Sequence, residues 1–213
     1  VCGPNGAGKS TLIALLYGDL SPAAGGRIDR RGFPPGTPLS EWKRTVGIVS
    51  PELQSTYAAT ACTVEEIVVS GLHSSIGLGE PPTAAELVLA RRRLEAVGMR
   101  GFGRRRAREL SYGQLRRALL ARALIVNRRL LLLDEPFDGL DAPARGIMAA
   151  EIAAAVRRGT QVVLATHHRE DVPAYVTRRL RLPFRRSAGQ PRGVAAPRHP
   201  RSHRSSSKSG GVE

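Results

Sequence analysis

The sequence predicts an α/β fold that combines a parallel sheet with a mostly helical insert. Two continuous apolar runs, Leu130–Leu133 and Gln161–Thr166, have the length and composition of buried strands. A helical pattern over residues 151–158 separates them. Strand–helix–strand order with unbroken apolar strands is typical of a parallel sheet that is covered on both faces.

The elements nearer the start of the chain follow from local signals. A first helix is predicted over residues 12–18, because Gly18 can end it. Residues 22–38 are rich in proline and glycine, and they predict a loop region with one short strand. The β-branched run Thr45–Val49 predicts a further buried strand.

Three capping-box patterns then mark helix starts, and they predict a helical insert over about residues 58–125. In each pattern a Ser or Thr lies three residues before a Glu or Gln, so each side chain can satisfy a backbone N–H of the other residue. The pairs are Thr63 with Glu66, Thr83 with Glu86, and Ser111 with Gln114.

Length and composition predict one folded domain followed by a tail. The chain has 213 residues, enough for a domain with a real core, which is predicted over residues 1–182. Residues 183–213 are rich in Pro, Ser, Gly and Arg and offer too little apolar surface to offset the entropy of ordering, so a disordered basic tail is predicted there. No apolar run reaches the ~18 residues that a membrane helix needs.

The net charge of +15 raises the question of nucleic-acid binding. Ten basic residues against one acid fall in residues 176–213, and the other Lys and Arg residues are scattered in short groups that usually form solvated helix faces. Aromatic residues make up only 4% of the chain, so the basic groups lack the stacking platforms of single-strand binders. Sequence-specific nucleic-acid binding is therefore not expected.

The glycine-rich segment at the start of the chain carries the clearest chemical signal. Residues 3–11 match the P-loop pattern G-x-x-x-x-G-K-[ST]. Glycines let the backbone approach phosphate oxygens, and the helix that follows adds positive charge at its N-terminus. Lys9 is predicted to reach the β- and γ-phosphates, and the Ser10 hydroxyl to bind Mg²⁺. The predicted nucleotide-binding residues are Gly3, Asn5, Gly6, Ala7, Gly8, Lys9, Ser10 and Thr11.

The position of this loop predicts that the chain is a fragment. A P-loop needs a strand before it and a helix after it. The apolar run after the loop supplies the helix, but only Val1 and Cys2 precede the loop. Most of the preceding strand is therefore expected to be missing.

An acidic pair follows the apolar run Leu130–Leu133 directly. Open α/β sheets bind ligands at the carboxyl ends of their strands. Asp134 is therefore predicted to hold Mg²⁺ in the Walker B role, and Glu135 to polarise the attacking water as a general base. His167 ends the next strand within reach of the γ-phosphate, although a lone histidine is more often structural and the neighbouring His168 leaves the choice between the two open.

The segment Leu110–Gln114, with the sequence LSYGQ, connects these motifs. Together with the P-loop, residues 130–136 and the turn Gly139–Asp141, it resembles the ATP-binding cassette (ABC) ATPases. The family's LSGGQ signature is matched with Tyr112 in place of the first glycine. The motifs stand in the family's order over residues 3–168, nearly all of the predicted domain, and this order is far more specific than any one motif.

The resemblance implies a head-to-tail dimer, in which ATP lies between the P-loop of one cassette and the signature helix of a second cassette. Ser111, Gly113 and Gln114 would then contact ATP bound by the second cassette, and Asp141 would communicate across the dimer. A helix capped by Ser111 also has free N–H groups that suit a γ-phosphate. The resemblance further implies Mg²⁺ with ATP, contact of His167 with the γ-phosphate, a cytoplasmic location, and membrane-domain subunits as partners at the inner face of the membrane.

The chain departs from the family pattern in two places. The family's Q-loop glutamine directly follows the strand at Thr45–Val49, but here four residues intervene before Gln54. Either Gln54 serves from a longer loop or the position has changed. An aromatic residue that stacks on adenine lies upstream of the P-loop in the family, and the chain offers none before Val1.

Two segments point to one group within this family: VSPELQ over residues 49–54 and THHREDVP over residues 166–173. Both resemble the tandem-cassette soluble ATPases of the molybdate-transport type, which fuse two cassettes without a membrane domain. On this interpretation the chain is the second cassette of such a pair.

Three hypotheses for function remain open. The first is an ATPase that powers or regulates a transport system at a cassette dimer. The second is a non-transport regulatory or nucleic-acid-associated ATPase that uses the basic surface. The third is an inactive truncated product, because residues 183–213 offer neither the hairpin nor the closing helix with which family members usually end.

Overall fold

A computed structural model describes residues 1–23, 25–168 and 170–183, so nearly all of the predicted tail lies outside the described residues. Three strands are present among them, β1 (Val46–Val49), β2 (Leu130–Asp134) and β3 (Gln161–Ala165). The α-helices are α1 (Lys9–Tyr17), α2 (Leu39–Arg44), α3 (Pro51–Ala58), α4 (Val64–His73), α5 (Ala84–Ala96), α6 (Tyr112–Ala123) and α7 (Ala142–Arg157), and a single 3₁₀ turn spans Ala107–Glu109.

The strands form one parallel sheet in the order β1-β2-β3, which confirms the predicted α/β class. In register, Leu133 of the central strand lies between Val49 and Leu164. Because parallel strands run in one direction, their carboxyl ends meet at the same edge of the sheet. Asp134 lies at this edge, paired with Ala165.

Both faces of the sheet are covered, as predicted. Side chains alternate along β2, so Leu131 and Leu133 face a large apolar cluster while Leu132 faces a smaller one. The large cluster is formed with α4, α5, α6 and α7, and the small one with Ile13 of α1. The sheet edge that carries Asp134 therefore lies between α1 and the helical insert.

Val1 and Cys2 run alongside β3. Cys2 makes parallel bridges with Thr166 and with Arg181. Its N–H donates to the Leu180 carbonyl at 2.8 Å, and its carbonyl accepts from the Leu182 N–H at 2.8 Å. These bonds extend the sheet by a short piece of chain that leads directly into the P-loop.

All three predicted capping boxes are formed, each with both of its reciprocal hydrogen bonds. Helix α3 lies ahead of the predicted start of the insert at about residue 58. Ser50 caps it by accepting a hydrogen bond from the Leu53 N–H at 3.2 Å, and Pro51 occupies the first turn, where no N–H is needed.

Other elements differ from the sequence prediction. Residues 22–38, described except for position 24, contain no strand, and the next element is the unpredicted helix α2. Helix α7 begins well before residue 151, because the Asp141 carboxylate caps its first turn and Pro143 lies within that turn. Over the described part of the chain, every helix is too short or too polar to cross a membrane.

Candidate functional site

The P-loop connects Val1 and Cys2, the short segment that lies alongside β3, to helix α1. Gly6 and Gly8 have φ angles of +77° and +92°, in the left-handed region that residues with a Cβ avoid. Among the described atoms, nothing lies within 4 Å of a Cβ placed at either position, so the backbone angle itself requires glycine. Asn5 and Gly6 are exposed at the tip of the loop, and the Ala7 N–H donates to the Pro4 carbonyl at 3.2 Å.

Lys9 lies at the centre of this loop and is only 6% exposed. Its Nζ donates to the carbonyls of Gly3 at 3.0 Å and Pro4 at 3.3 Å, and it lies 3.4 Å from Oε1 of Glu135. The ammonium is thus held where the loop, α1 and the sheet edge meet. Ser10 and Thr11 follow it, exposed on the first turn of α1.

Asp134 is fully buried at the end of β2. Neither of its carboxylate oxygens has a hydrogen-bond partner among the described residues. Burial raises the pKa of Asp134 above its ordinary value; the nearby Ser10 hydroxyl opposes this rise but lies outside hydrogen-bonding geometry. A buried carboxylate without a partner is costly, and Mg²⁺ prefers oxygen ligands, so Asp134 and Ser10 fit a magnesium ion.

Glu135 turns away from Asp134 through an unusual backbone conformation, with φ +46°. Its Oε1 accepts a hydrogen bond at 2.9 Å from Nδ1 of His167, and its N–H donates to the Ala165 carbonyl at 2.9 Å. Burial alone would raise the pKa of Glu135, but the hydrogen bond from His167 and the charge of Lys9 outweigh it and hold the pKa below its ordinary value. The carboxylate is therefore ionised.

The structure brings His167, rather than His168, to Glu135. His168 instead lies 3.9 Å from a carboxylate oxygen of Asp138 and 3.4 Å from one of Glu170. Its N–H donates to the hydroxyl of buried Thr166 at 3.1 Å, which orients the turn that carries both histidines. A cleft of about 650 Å³ runs between this turn and the start of the P-loop.

The signature residues begin α6. Ser111 Oγ accepts from the Gln114 N–H at 3.2 Å, and Gln114 Oε1 accepts from the Ser111 N–H at 2.9 Å. A Cβ on Gly113 would lie 3.1 Å from the Gly139 carbonyl oxygen, so a larger residue there would require the neighbouring turn to shift. Among the described residues, no hydrogen bond or ion pair joins residues 111–114 to the P-loop of the same chain.

Asp141 lies beyond the same turn and is exposed. Its Oδ1 accepts from the Ala144 N–H at 2.8 Å, so within one chain it acts as the cap of α7. Its predicted role in communication across a dimer stays a prediction.

Gln54 does not serve from a longer loop, because it lies within α3. The side chain is buried and directed toward α6: Nε2 donates to the Tyr112 carbonyl at 2.9 Å, and Oε1 accepts from Nε of Arg116 at 2.8 Å. Both ends of the amide are thus engaged with the signature helix. Its predicted contact with the nucleotide would require these bonds to be exchanged.

Sequence reasoning missed Arg116, which is 0% exposed. The scattered basic residues were expected on solvated faces, but Arg116, Arg122 and Arg128 are all buried. A signal was available for Arg116, since it lies three and four residues before Leu119 and Leu120 and so shares the apolar face of α6. Its side chain donates to Gln54, Tyr112 and Glu135.

Known ATP-binding proteins are similar to this chain in sequence. A family model described as ABC transporter matches residues 1–138. The ABC transporter ATP-binding protein ModF of Escherichia coli (strain K12) is 35% identical over 187 residues, which cover 84% of this chain and 37% of ModF. The zinc transport system ATP-binding protein TroB of Treponema pallidum (strain Nichols) is 37% identical over 185 residues, covering 87% of this chain and 67% of TroB.

A solved structure shows the same fold. The protein cbiO1 from Clostridium perfringens, part of the ABC transporter complex cbiONQ, matches with a TM-score of 0.60 at 26% identity, over 78% of this chain and 65% of cbiO1. The chain thus spans little more than a third of ModF and about two thirds of cbiO1. With the family model matching more than half of its residues, the chain belongs to the ABC transporter family of ATP-binding cassettes.

Proposed function

We propose that the chain binds ATP with Mg²⁺ at the P-loop and hydrolyses it with Glu135 as the general base, as the motor of a transport system. One observation carries the proposal. The ionised Glu135 lies 3.4 Å from the Lys9 ammonium and next to Asp134, a buried carboxylate that has no hydrogen-bond partner in the described part of the chain. The carboxyl end of β2 therefore brings together a general base (Glu135), a buried carboxylate that suits a divalent cation (Asp134) and a phosphate-binding ammonium (Lys9).

ATP binding would depend on the charged groups at this edge of the sheet. The loop N–H groups and the Lys9 ammonium would hold the β- and γ-phosphates, with Lys9 exchanging its bonds to the Gly3 and Pro4 carbonyls for bonds to phosphate oxygens. Asp134 and Ser10 would hold Mg²⁺, which supplies neutralisation of phosphate charge when bound. Thr11 and the exposed loop tip complete the site on the α1 side.

Hydrolysis requires a proton acceptor for the attacking water. Glu135 takes the proton as the water oxygen forms a bond to the γ-phosphorus and the bond to the ADP oxygen breaks, which leaves ADP and inorganic phosphate. The hydrogen bond from His167 fixes the direction of the Glu135 carboxylate and keeps it ionised. His167 is therefore the second side chain on which turnover depends.

A second cassette would complete the site. Ser111, Gly113 and Gln114 begin a helix whose first N–H groups have no partner within the helix, and such an end favours an anion. Within the described residues they make no hydrogen bond to the P-loop of their own chain, and in a head-to-tail pair they would face ATP held by the partner cassette. Communication between the two sites would pass through Asp141.

The relatives favour a role in transport. TroB is named for zinc transport, which supports an assembly in which this cassette acts on membrane-domain subunits at the inner face of the membrane. The match to ModF favours a second arrangement. This chain covers 37% of ModF, a share that leaves room for another cassette in the same polypeptide.

The proposal is tested by ATP turnover of the Glu135→Gln variant. Replacing the carboxylate by an amide removes the proton acceptor with little change in shape, so turnover should fall by about 100-fold or more. Glu80→Gln, which makes the same chemical change at an exposed residue ahead of α5, is the matched control and should retain wild-type turnover. Unchanged turnover in Glu135→Gln would exclude Glu135 as the base.

A further inference from the structure

Arg116 is a buried cation next to the end of β2, where Asp134 and Glu135 lie. It is fully buried, and each of the three guanidinium nitrogens donates to a different element. Nε donates to Oε1 of Gln54 in α3 at 2.8 Å, one terminal nitrogen donates to the main-chain carbonyl of Glu135, and the other donates to the Tyr112 hydroxyl. The planar fork of an arginine suits such divergent acceptors, whereas a lysine offers a single nitrogen.

The contact with Glu135 falls on a strained peptide unit. Glu135 has φ +46°, a conformation that is unfavourable for a residue with a Cβ and persists only where its surroundings fix it. The Glu135 N–H is held by the Ala165 carbonyl at 2.9 Å, and the Glu135 carbonyl is held by Arg116 and, at 3.3 Å, by the Asp138 N–H. This conformation directs the carboxylate toward His167.

The remaining contacts connect this peptide to the helical insert. Gln54 bridges Arg116 and the Tyr112 carbonyl, so α3 and the start of α6 share one closed set of hydrogen bonds. The Tyr112 ring also packs on the turn before α7, where a Cβ on Gly139 would lie 2.9 Å from its Cδ1. A movement of the helical insert would therefore be transmitted to Glu135 by the hydrogen bonds of the Arg116 guanidinium.

We propose that Arg116 is a positioning residue for Glu135: through the Glu135 carbonyl it fixes the carboxylate in its reactive direction, and through Gln54 and Tyr112 it makes that direction depend on the signature helix. The inference rests on the proposed role of Glu135 as the base. Burial lowers the pKa of Arg116, and the facing charges of Asp138, Asp134 and Glu135 oppose this shift, so the acidic edge favours the cation.

The role predicts a particular kinetic pattern. Arg116 touches neither the P-loop nor Asp134 by hydrogen bond or ion pair among the described residues, so its loss should leave nucleotide binding intact. A displaced base slows the chemical step, and a misplacement of about 1 Å can cost about 100-fold in rate. The Arg116→Gln variant should therefore lose about 100-fold in kcat, with KM for ATP changed by no more than about twofold.

Arg117→Gln is the matched control, since Arg117 is the next arginine of α6 and donates to the Gly98 carbonyl at 3.1 Å on the other side of the helix. It should keep wild-type kcat. Arg116→Lys retains the charge but lacks the fork and should behave like Arg116→Gln. Tyr112→Phe removes a single acceptor, keeps the ring, and should lower kcat by less, about threefold to tenfold.

A double-mutant cycle separates positioning from general damage. If Arg116 acts only through the Glu135 carboxylate, Arg116→Gln should add no further loss of single-turnover hydrolysis in the Glu135→Gln background. Deuterium exchange over residues 134–141 supplies a readout apart from activity, and it should quicken in Arg116→Gln and Arg116→Lys but not in Arg117→Gln.

Multiplicative losses in the cycle, equal kcat values for Arg116→Gln and Arg117→Gln, or unchanged exchange over residues 134–141 would each overturn the inference. Failure of the proposed function would look different, because Glu135→Gln would then turn over ATP at the wild-type rate. If Arg116→Gln does not fold, the same outcomes are measured on Arg116→Lys and Tyr112→Phe.

Discussion

The two parts of the predicted ATP site, the phosphate-binding edge and the signature end, are constructed in opposite ways. At the phosphate-binding edge, side chains from the P-loop, β2 and the turn after β3 converge: Lys9 and His167 both contact the Glu135 carboxylate. At the signature end, Ser111 and Gln114 bond to each other and to nothing in the P-loop of the same chain among the described residues. The phosphate-binding edge is assembled within one chain. The signature end is a capped helix terminus that is proposed to meet a second cassette.

In the proposed head-to-tail pair, this difference would let one chain contribute its two ends to two different nucleotides. The phosphate-binding edge depends on contacts between distant segments, so Lys9 and Asp134 are buried and the pKa values of Asp134 and Glu135 are shifted. The signature end depends on a local capping box that needs no distant partner. Changes at the first should therefore alter ATP binding and chemistry, while loss of the Ser111 side chain should alter the stability of α6 and the ATP site of a second cassette.

Loss of the buried ammonium should have the largest effect on the phosphate-binding edge. Lys9→Ala removes the cation at the centre of the loop, and we expect affinity for Mg-ATP to fall by about 100-fold, as for loss of a charge-assisted contact to phosphate. Titration calorimetry measures this. Lys43→Ala, which removes an ion pair with Asp19 and the contact of the Lys43 ammonium with the Tyr17 ring, is the control and should bind ATP normally. Equal affinities for both variants would contradict the assignment of Lys9.

The Asp134→Asn variant should separate the effect of the Asp134 charge on folding stability from its effect on Mg-ATP binding. The folded state raises the pKa of Asp134, so its contribution to stability is fully present below the unfolded pKa and is lost as pH rises through the folded pKa. The amide avoids this loss and should stabilise the nucleotide-free protein near pH 7 by about 1 kcal/mol, or about 2–4 °C in Tm.

The advantage of this variant over wild type should vanish toward low pH, and Mg-ATP should no longer raise its Tm. Asp29→Asn, at an exposed carboxylate, should show neither effect. A variant less stable than wild type at pH 7 would show that Asp134 has a partner that stabilises its charge.

The smallest effect should come from the signature end, whose capping box can be compared with the box of the same type that begins α5. Ser111→Ala and Thr83→Ala each remove the side chain of a complete capping box, and each should cost about 1 kcal/mol of unfolding free energy. Only Ser111→Ala should also slow ATP turnover, because in the proposed cassette pair the start of α6 would face a nucleotide and the start of α5 would not. Equal turnover in the two variants would reduce Ser111 to a structural cap.

The sequence predicted best what local chemistry decides. The capping boxes involve residues three positions apart, and the glycines at positions 6 and 8 meet a backbone requirement, so each could be recognised without knowledge of the fold. The acidic pair was placed correctly at the sheet edge because a continuous apolar strand precedes it.

What the sequence left undetermined depends on packing between distant segments. Arg116 is separated from Gln54 by 62 residues, and its burial is decided by acceptors that only the folded chain brings together. The same holds for Gln54, whose place in α3 follows from the local cap at Ser50 but whose direction follows from α6. The choice of His167 over His168 likewise became visible only from the position of Glu135.

In the proposed pair the two ends come together between cassettes, and a mixture of two inactive variants can show whether they do. Lys9→Ala breaks the phosphate-binding edge, and Ser111→Arg blocks the signature end with a bulky side chain. Each alone should turn over ATP at a few per cent of wild type or less, whereas the mixture should recover activity, because a mixed pair contains one composite site with both halves intact. A mixture no more active than its components, although the two variants associate, would contradict the account.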